Sequence, residues 1–203
     1  MTPSTSLGTR AITLDRRDVV SRLLSERGDL LVVSGLGSPT FDVFAVSDSP
    51  LNFYFWGGMG GTTMLGLGLA LAQPARRVLV ITGDGDMLMG VGSLATIGVQ
   101  QPKNLALIIL DNQSYGETGM QASHTANGVD LAAMASAATF ARTTTIYTQA
   151  ELDAWRGVMW AGAPTLGVVK VTATRPPLQV PPREGVYIKN RFREALLRSS
   201  SIG

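Results

Sequence analysis

The sequence predicts an open, mostly parallel, doubly wound α/β sheet with helices on both faces, and three observations predict it. Short apolar runs alternate with segments of helical spacing almost from end to end of the 203 residues. The apolar runs are continuous rather than alternating, LALIIL at 105–110 above all, as befits strands covered on both faces. Glycine turns or an Asp-Asn pair close the runs, at Gly35–Gly37, Gly57–Gly61, Gly83–Gly85 and Asp111-Asn112. That carboxyl end is where sheets of this kind bind ligands.

The elements follow in order. A helix is expected over 15–27, with Asp15 as its cap and Val19, Val20, Leu23 and Leu24 as its buried stripe. The run 30–34 (LLVVS) reads as a buried strand, and 35–40 (GLGSPT) as a turn opening a helix. A short aromatic strand at 52–56 leads through a glycine loop, 57–61, into a small-residue helix over 62–73. A strand at 77–82, the turn Gly83-Asp84-Gly85 and a helix over 87–99 come next, with Met87 and Met89 read as core. After the strand 105–110 a long polar loop runs from 113 to about 127. The remainder reads as a helix over 130–137, an edge strand near 140–143, a helix over 149–161 with Trp155 and Trp160 in the core, and a strand over 165–172. The ligand-binding domain is therefore set at 1–174. A proline-rich extended arm (RPPLQVPP at 175–182) and a helix over 186–198 make up the remainder, 175–203.

Apolar residues are 45% and charged residues 16%, enough for one large core and unlike a disordered chain. The formal charge is +2 and no Lys/Arg cluster accompanies it, so nucleic-acid binding is not expected. The absence of cysteine excludes disulfides, thiolate metal sites and a cysteine nucleophile. The polar stretch 1–10 is no signal peptide, and the apolar stretch 64–72 is too short and glycine-rich to span a membrane. A cytoplasmic protein is the expectation.

Chemistry concentrates at the strand ends. Glycines flanking Asp84 let the backbone turn sharply and let an anion approach the start of the next helix. A carboxylate there would repel phosphate, and a magnesium ion between them removes the conflict, since Mg2+ takes a few protein oxygens and fills its shell with phosphate and water. Asn112, at the end of the next strand, supplies an amide oxygen, and a backbone carbonyl near Ser114 a third ligand. Gly-Asp-Gly by itself is more often a plain turn; together with Asn112 it reads as a magnesium–diphosphate site. In SGLGSPT, the Gly37 and Ser38 backbone amides and the Ser38 hydroxyl suit diphosphate oxygens, with Gly35 behind them, although a simple turn has the same composition.

GDGDMLMGVGSLATIG followed by LDNQSYGETG resembles the pyrophosphate-binding (PP) domain of thiamine-diphosphate-dependent enzymes. The resemblance implies that Asp84, Asn112 and the Ser114 carbonyl hold the metal. It implies that Gly83, Gly85, Asp86, Tyr115, Gly116 and Glu117 surround the diphosphate. Asp86 departs from the small residue often found after the motif, and a solvent-facing carboxylate is expected there. WGGMGGTTMLGLGLALA resembles the segment whose apolar residue wedges under the cofactor and bends it. Met59 takes that place, with Gly57 offering its carbonyl to the aminopyrimidine and Gly58 beside it; the bend brings the reacting atoms together. Taken without the metal motif, Met59 would read as ordinary core. YGETGMQASHTANGVDL and the arm followed by IKNRFREAL are similar in particular to the small subunit of sulfopyruvate decarboxylase and the matching half of phosphonopyruvate decarboxylase.

That resemblance implies a lyase, a 2-oxo acid decarboxylase needing thiamine diphosphate and Mg2+. Such catalysis also needs a glutamate at the pyrimidine. Of Glu26, Glu117, Glu151, Glu184 and Glu194, only Glu117 lies near the motif, and on the diphosphate side. A separate pyrimidine-binding-domain α subunit is therefore expected to supply it, most simply in an α2β2 assembly, with 57–72 as a contact surface. His124, the single histidine, is read equally as a proton donor or substrate-anion contact and as a loop-packing residue, with Gln121 and Thr125 weaker candidates of the same kind. A carboligating acetolactate-synthase-like subunit and a non-catalytic cofactor-binding or regulatory subunit are the competing readings. A nicotinamide-binding oxidoreductase ranks last, because no GxGxxG follows a strand.

Overall fold

The structure is a computed structural model and describes residues 10–199. Nearly all of the polar stretch read as no signal peptide lies outside the described residues. Eight strands are present among them: β1 (Leu31–Ser34), β2 (Asn52–Tyr54), β3 (Val78–Gly83), β4 (Leu105–Asp111), β5 (Ser114–Tyr115), β6 (Gln121–Ala122), β7 (Arg142–Ile146) and β8 (Thr165–Lys170). Six of them form one sheet in the order β2-β1-β3-β4-β8-β7, and every pairing in it is parallel. The helices are α1 (Arg16–Leu24), α2 (Ser38–Val46), α3 (Thr62–Ala72), α4 (Asp84–Met89), α5 (Ser93–Gln100), α6 (Leu131–Ala137), α7 (Gln149–Val158) and α8 (Gly185–Ser199).

The continuous apolar runs divide by parity. In β4, Ala106, Ile108 and Leu110 join Val19 and Leu23 of α1, Val43 of α2 and Trp155 of α7 in one core. Leu105, Leu107 and Ile109 join Leu67 of α3, Met87, Ile97 of α5 and Leu131 of α6 in the other. The doubly wound architecture follows from that division. Local signals hold the helix starts: Asp15 accepts from the Arg17 and Asp18 amides, Asp130 caps α6, and Thr148 with Glu151 forms a capping box on α7.

Several expectations are corrected. The helix expected over 87–99 is two helices, α4 starting at Asp84 and α5 at Ser93. They part at Gly90–Gly92, where the Gly60 carbonyl occupies the space a Gly90 Cβ would need. Met89 at the end of α4 is 65% exposed rather than core, and Trp160 is only half-buried, its ring under the Arg77 guanidinium. The 113–127 loop is organised as the β5–β6 antiparallel hairpin and a 3-10 turn at His124–Asn127. The edge strand lies at Arg142–Ile146, a few residues later than 140–143. No described helix is long and apolar enough to cross a membrane.

From β1 the chain goes through α2 outward to β2, then returns through α3 to β3 on the other side of β1 and moves on to β4. The direction of winding reverses between β1 and β3, which opens a crevice at their carboxyl ends. Gly35–Ser38 and Gly83–Asp86 stand there.

Candidate active site

The register of β3 on β4 pairs Gly83 with Leu110, so the next residues, Asp84 and Asp111, leave the sheet side by side and Asn112 follows. Asp84 is 2% exposed. Its Oδ2 accepts from Ser123 Oγ at 2.5 Å, with Thr125 Oγ1 at 3.3 Å. The single hydroxyl proton of Thr125 goes to Asp111 Oδ1, 2.7 Å away. Asp111 is charge-compensated by Lys170 Nζ at 2.5 Å, its register partner on β8. The contacts of Asp84 are hydroxyls. Burial pushes its carboxyl from 3.8 up to about 6, and the Asp111 charge adds to the rise.

Asn112 Oδ1 accepts from the Ser114 amide at 3.0 Å, a local turn that fixes the amide and leaves the oxygen a second lone pair. One carboxylate, one amide oxygen and one backbone carbonyl make an all-oxygen set suited to Mg2+. Among the described residues no group of three or more His, Cys, Asp or Glu could hold a metal.

The cavity beside Asp84 is lined by Leu36, Ser38 and Pro39 from the β1 end, Met59, Gly83–Asp86, Asn112, and Ser114–Thr118, with Arg16 and Val171 at the back. Its volume is about 100 Å³. That is below the roughly 300–1,000 Å³ of a complete small-molecule pocket. Gly85 is glycine because the Tyr115 ring stands 2.8 Å from where its Cβ would be, and the Met59 methyl approaches the same point at 3.6 Å. Gly37, at φ +75°, opens α2 with the Glu117 carboxylate folded over it. Gly116 faces the Ser38 hydroxyl, and its carbonyl accepts from Arg175 of the arm at 3.3 Å.

Gly35, Gly37, Gly57 and Gly58 stand outside the lining. Gly35 packs on Thr82, Asp86 and Thr62, Gly57 is exposed, and Gly58 lies against the Phe55 ring. His124 is exposed and does not line the cavity; its Nδ1 meets the Tyr115 hydroxyl at 2.9 Å, with the rings edge to face, so it braces Tyr115. Gln121 is exposed and bonded to Thr118 within the hairpin. Asp86 corrects its expectation outright. It is 5% exposed rather than solvent-facing, bonded to the Thr82 hydroxyl and the Gly60 amide.

Sequence reasoning missed Ser123, the Asp111–Lys170 pair and Arg16. Asp111 and Lys170 each close their strands, but only the pairing of β4 with β8 brings the two charges together. Arg16 is 7% exposed and ion-paired to the fully buried Asp42 at 2.5 Å.

Comparison with known proteins accords with this geometry. The family model of the thiamine pyrophosphate enzyme C-terminal TPP binding domain matches residues 36–155, which contain every residue of the metal motif. The chain belongs to this family. It is 42% identical over 127 residues to sulfopyruvate decarboxylase subunit β of Methanothermobacter thermautotrophicus, covering 63% of this chain and 68% of that one. Phosphonopyruvate decarboxylase of Streptomyces viridochromogenes is 40% identical over 131 residues, which is 64% of this chain and 32% of that protein. Among solved structures, benzoylformate decarboxylase of Polynucleobacter necessarius superposes with a TM-score of 0.68 at 22% identity, over 87% of this chain and 36% of that one, and so shares the fold. The chain thus spans about a third of the length of these last two proteins.

Proposed function

We propose that this chain is the PP-domain subunit of a thiamine-diphosphate- and Mg2+-dependent 2-oxo acid decarboxylase, taking a sulfopyruvate- or phosphonopyruvate-like substrate. The observation that carries the reading is the buried Asp84, set by strand register beside Asp111 and one residue from Asn112, in the lining of a cleft that also holds Met59. Family membership and the names of the relatives support it. Asp84, Asn112 and the Ser114 carbonyl would hold the metal; Ser38, Gly85, Tyr115 and Gly116 would border the diphosphate. Bound thiamine diphosphate supplies the electron sink for loss of CO2 from a 2-oxo acid. Met59 would support its ring system.

The glutamates support a second subunit. Glu151 caps α7, Glu184 caps α8, Glu194 pairs with Arg198, and Glu26 borders a groove at the opposite, amino-terminal ends of the strands. Only Glu117 reaches the cleft, and it lies over Gly37. The glutamate for the pyrimidine would therefore come from an α subunit with a pyrimidine-binding domain, in an α2β2 assembly. The apolar face of α3, where Met64 and Leu71 are 40% and 51% exposed, is suited to that contact. Calorimetric titration of thiamine diphosphate with Mg2+ into the chain, with and without its co-expressed partner, tests the reading. Binding that needs Mg2+ and strengthens with the partner is expected, followed by CO2 release from a sulfonated or phosphonated 2-oxo acid. No binding in either sample overturns it.

A further inference from the structure

The motif's departure at Asp86 has a structural counterpart. One carboxylate oxygen, Oδ2, accepts from the Thr82 hydroxyl at the end of β3, and the other, Oδ1, from the backbone amide of Gly60 at 2.5 Å. The carboxylate is buried, at 5% exposure, so neither bond competes freely with water. Gly60 directly follows Met59, and it has a left-handed φ of +85°. The same loop meets α4 by backbone contact. The Gly60 carbonyl abuts Gly90, and a Cβ on Gly60 would stand 3.1 Å from the Gly90 amide. Asp86 and the Gly60–Gly90 contact thus fix the loop against α4 from two sides. Met59 is left reaching over Gly85, its methyl 3.6 Å from the Gly85 Cβ position.

We propose that Asp86 is a positioning residue that clamps the 57–61 loop to the β3–α4 turn and so sets the height of Met59 above the diphosphate cleft. The carboxylate would act on the loop amide and not on the cofactor. Gly35 is part of the same device, because any Cβ there would displace the Thr82 hydroxyl and approach Asp86 Oδ2. The role of Met59 rests on the proposed thiamine-diphosphate function; the clamp itself does not.

Hydrogen exchange of the Gly60 amide in the full chain, purified with its partner subunit and without added cofactor, reads the clamp directly. Loss of a bond to a buried carboxylate predicts exchange faster by about tenfold or more in Asp86→Ala. Asp86→Asn, which keeps an acceptor at Oδ1, is expected to stay within about threefold of the parent protein. Asp86→Ser is too short to reach Gly60 and serves in place of Asp86→Ala should that variant not fold. In the complex loaded with Mg2+ and thiamine diphosphate, exchange of the cofactor's C2 proton is expected to slow on the order of tenfold in Asp86→Ala or Asp86→Ser. Cofactor affinity should change little, and Asp86→Asn should restore the rate. Unchanged Gly60 exchange in Asp86→Ala or Asp86→Ser, or equal effects of Asn and Ser, overturns the clamp. So does tighter cofactor binding in Asp86→Asn and Asp86→Ser alike, which would make Asp86 a carboxylate facing the diphosphate. Failure of all variants and the parent to bind cofactor defeats the functional reading but leaves the Gly60 result standing.

Discussion

Replacing Asp84 by asparagine should make the cofactor-free chain more stable and abolish Mg2+-dependent binding of thiamine diphosphate. The side chain is 2% exposed, and burial pushes its carboxyl from the ordinary 3.8 up to about 6 in the folded chain. About two units at ~1.4 kcal/mol each make the buried charge cost up to about 3 kcal/mol at pH 8. The sign follows from the raised value. Below pH 3.8 the group is protonated in folded and unfolded chains alike and costs nothing. Between 3.8 and about 6 the unfolded chain loses its proton first and stability falls with rising pH; above about 6 the full cost is present. Asparagine is neutral throughout and can still bond Ser123. Urea unfolding without metal should therefore show Asp84→Asn ahead of the parent by about 2–3 kcal/mol at pH 8, several degrees in Tm, and level with it near pH 4. Saturating Mg2+ and thiamine diphosphate should reverse the order at pH 8, by mass action on the parent alone. A stability difference that is flat across pH, or an Asp84→Asn protein that still binds the cofactor with Mg2+, refutes the argument.

Removing the charge partner of Asp111 should be costly. Lys170→Met is expected to destabilise by about 3–5 kcal/mol in urea unfolding, and adding Asp111→Asn should recover much of that loss. Gly90→Ala drives a Cβ into the Gly60 carbonyl, so a loss of about 1–3 kcal/mol in thermal unfolding is expected, together with faster exchange at Gly60. Tyr115→Phe keeps the ring against Gly85 and loses the hydroxyl bonded to His124. Tyr115→Phe and His124→Ala should each cost under about 1 kcal/mol, and the double variant no more than the larger single loss, as a double-mutant cycle would read.

The fold was legible wherever the signal is local. Asp15, Asp130 and Thr148 cap helices through residues two or three positions on, and runs such as 105–110 declare burial by composition alone. Asp84 and Asn112 were legible as a pair because consecutive strands lie side by side in this sheet, so a sequence interval becomes a spatial neighbour. What escaped depends on contacts between distant segments. The break between α4 and α5 falls where Gly60 packs on Gly90, a contact absent from the local helical pattern. Asp86 reads as solvent-facing until the Gly60 amide arrives from the preceding loop, and Met89 reads as core although α4 turns it outward. The Asp111–Lys170 pair needs β8 to insert between β4 and β7, which no strand-by-strand reading supplies.

The last helix settles how the sheet meets its surroundings. Phe192 stacks edge-on against Phe53 of β2, and Arg191 forks onto Asp48 with both bonds at 3.0 Å while lying over the Tyr54 ring. Trp56 Nε1 donates to Pro182 at 3.0 Å and anchors the arm leading there. A three-residue border strand that would otherwise offer free backbone amides to any passing chain is thereby shielded. The opposite border, β7, carries an arginine and three threonines beside a single buried isoleucine. Lateral sheet growth is discouraged by cover on one flank and by polarity on the other. Higher-order architecture must then be built through helix faces and loop ends, and a version of the chain shortened before residue 185 should be judged first by its colloidal behaviour.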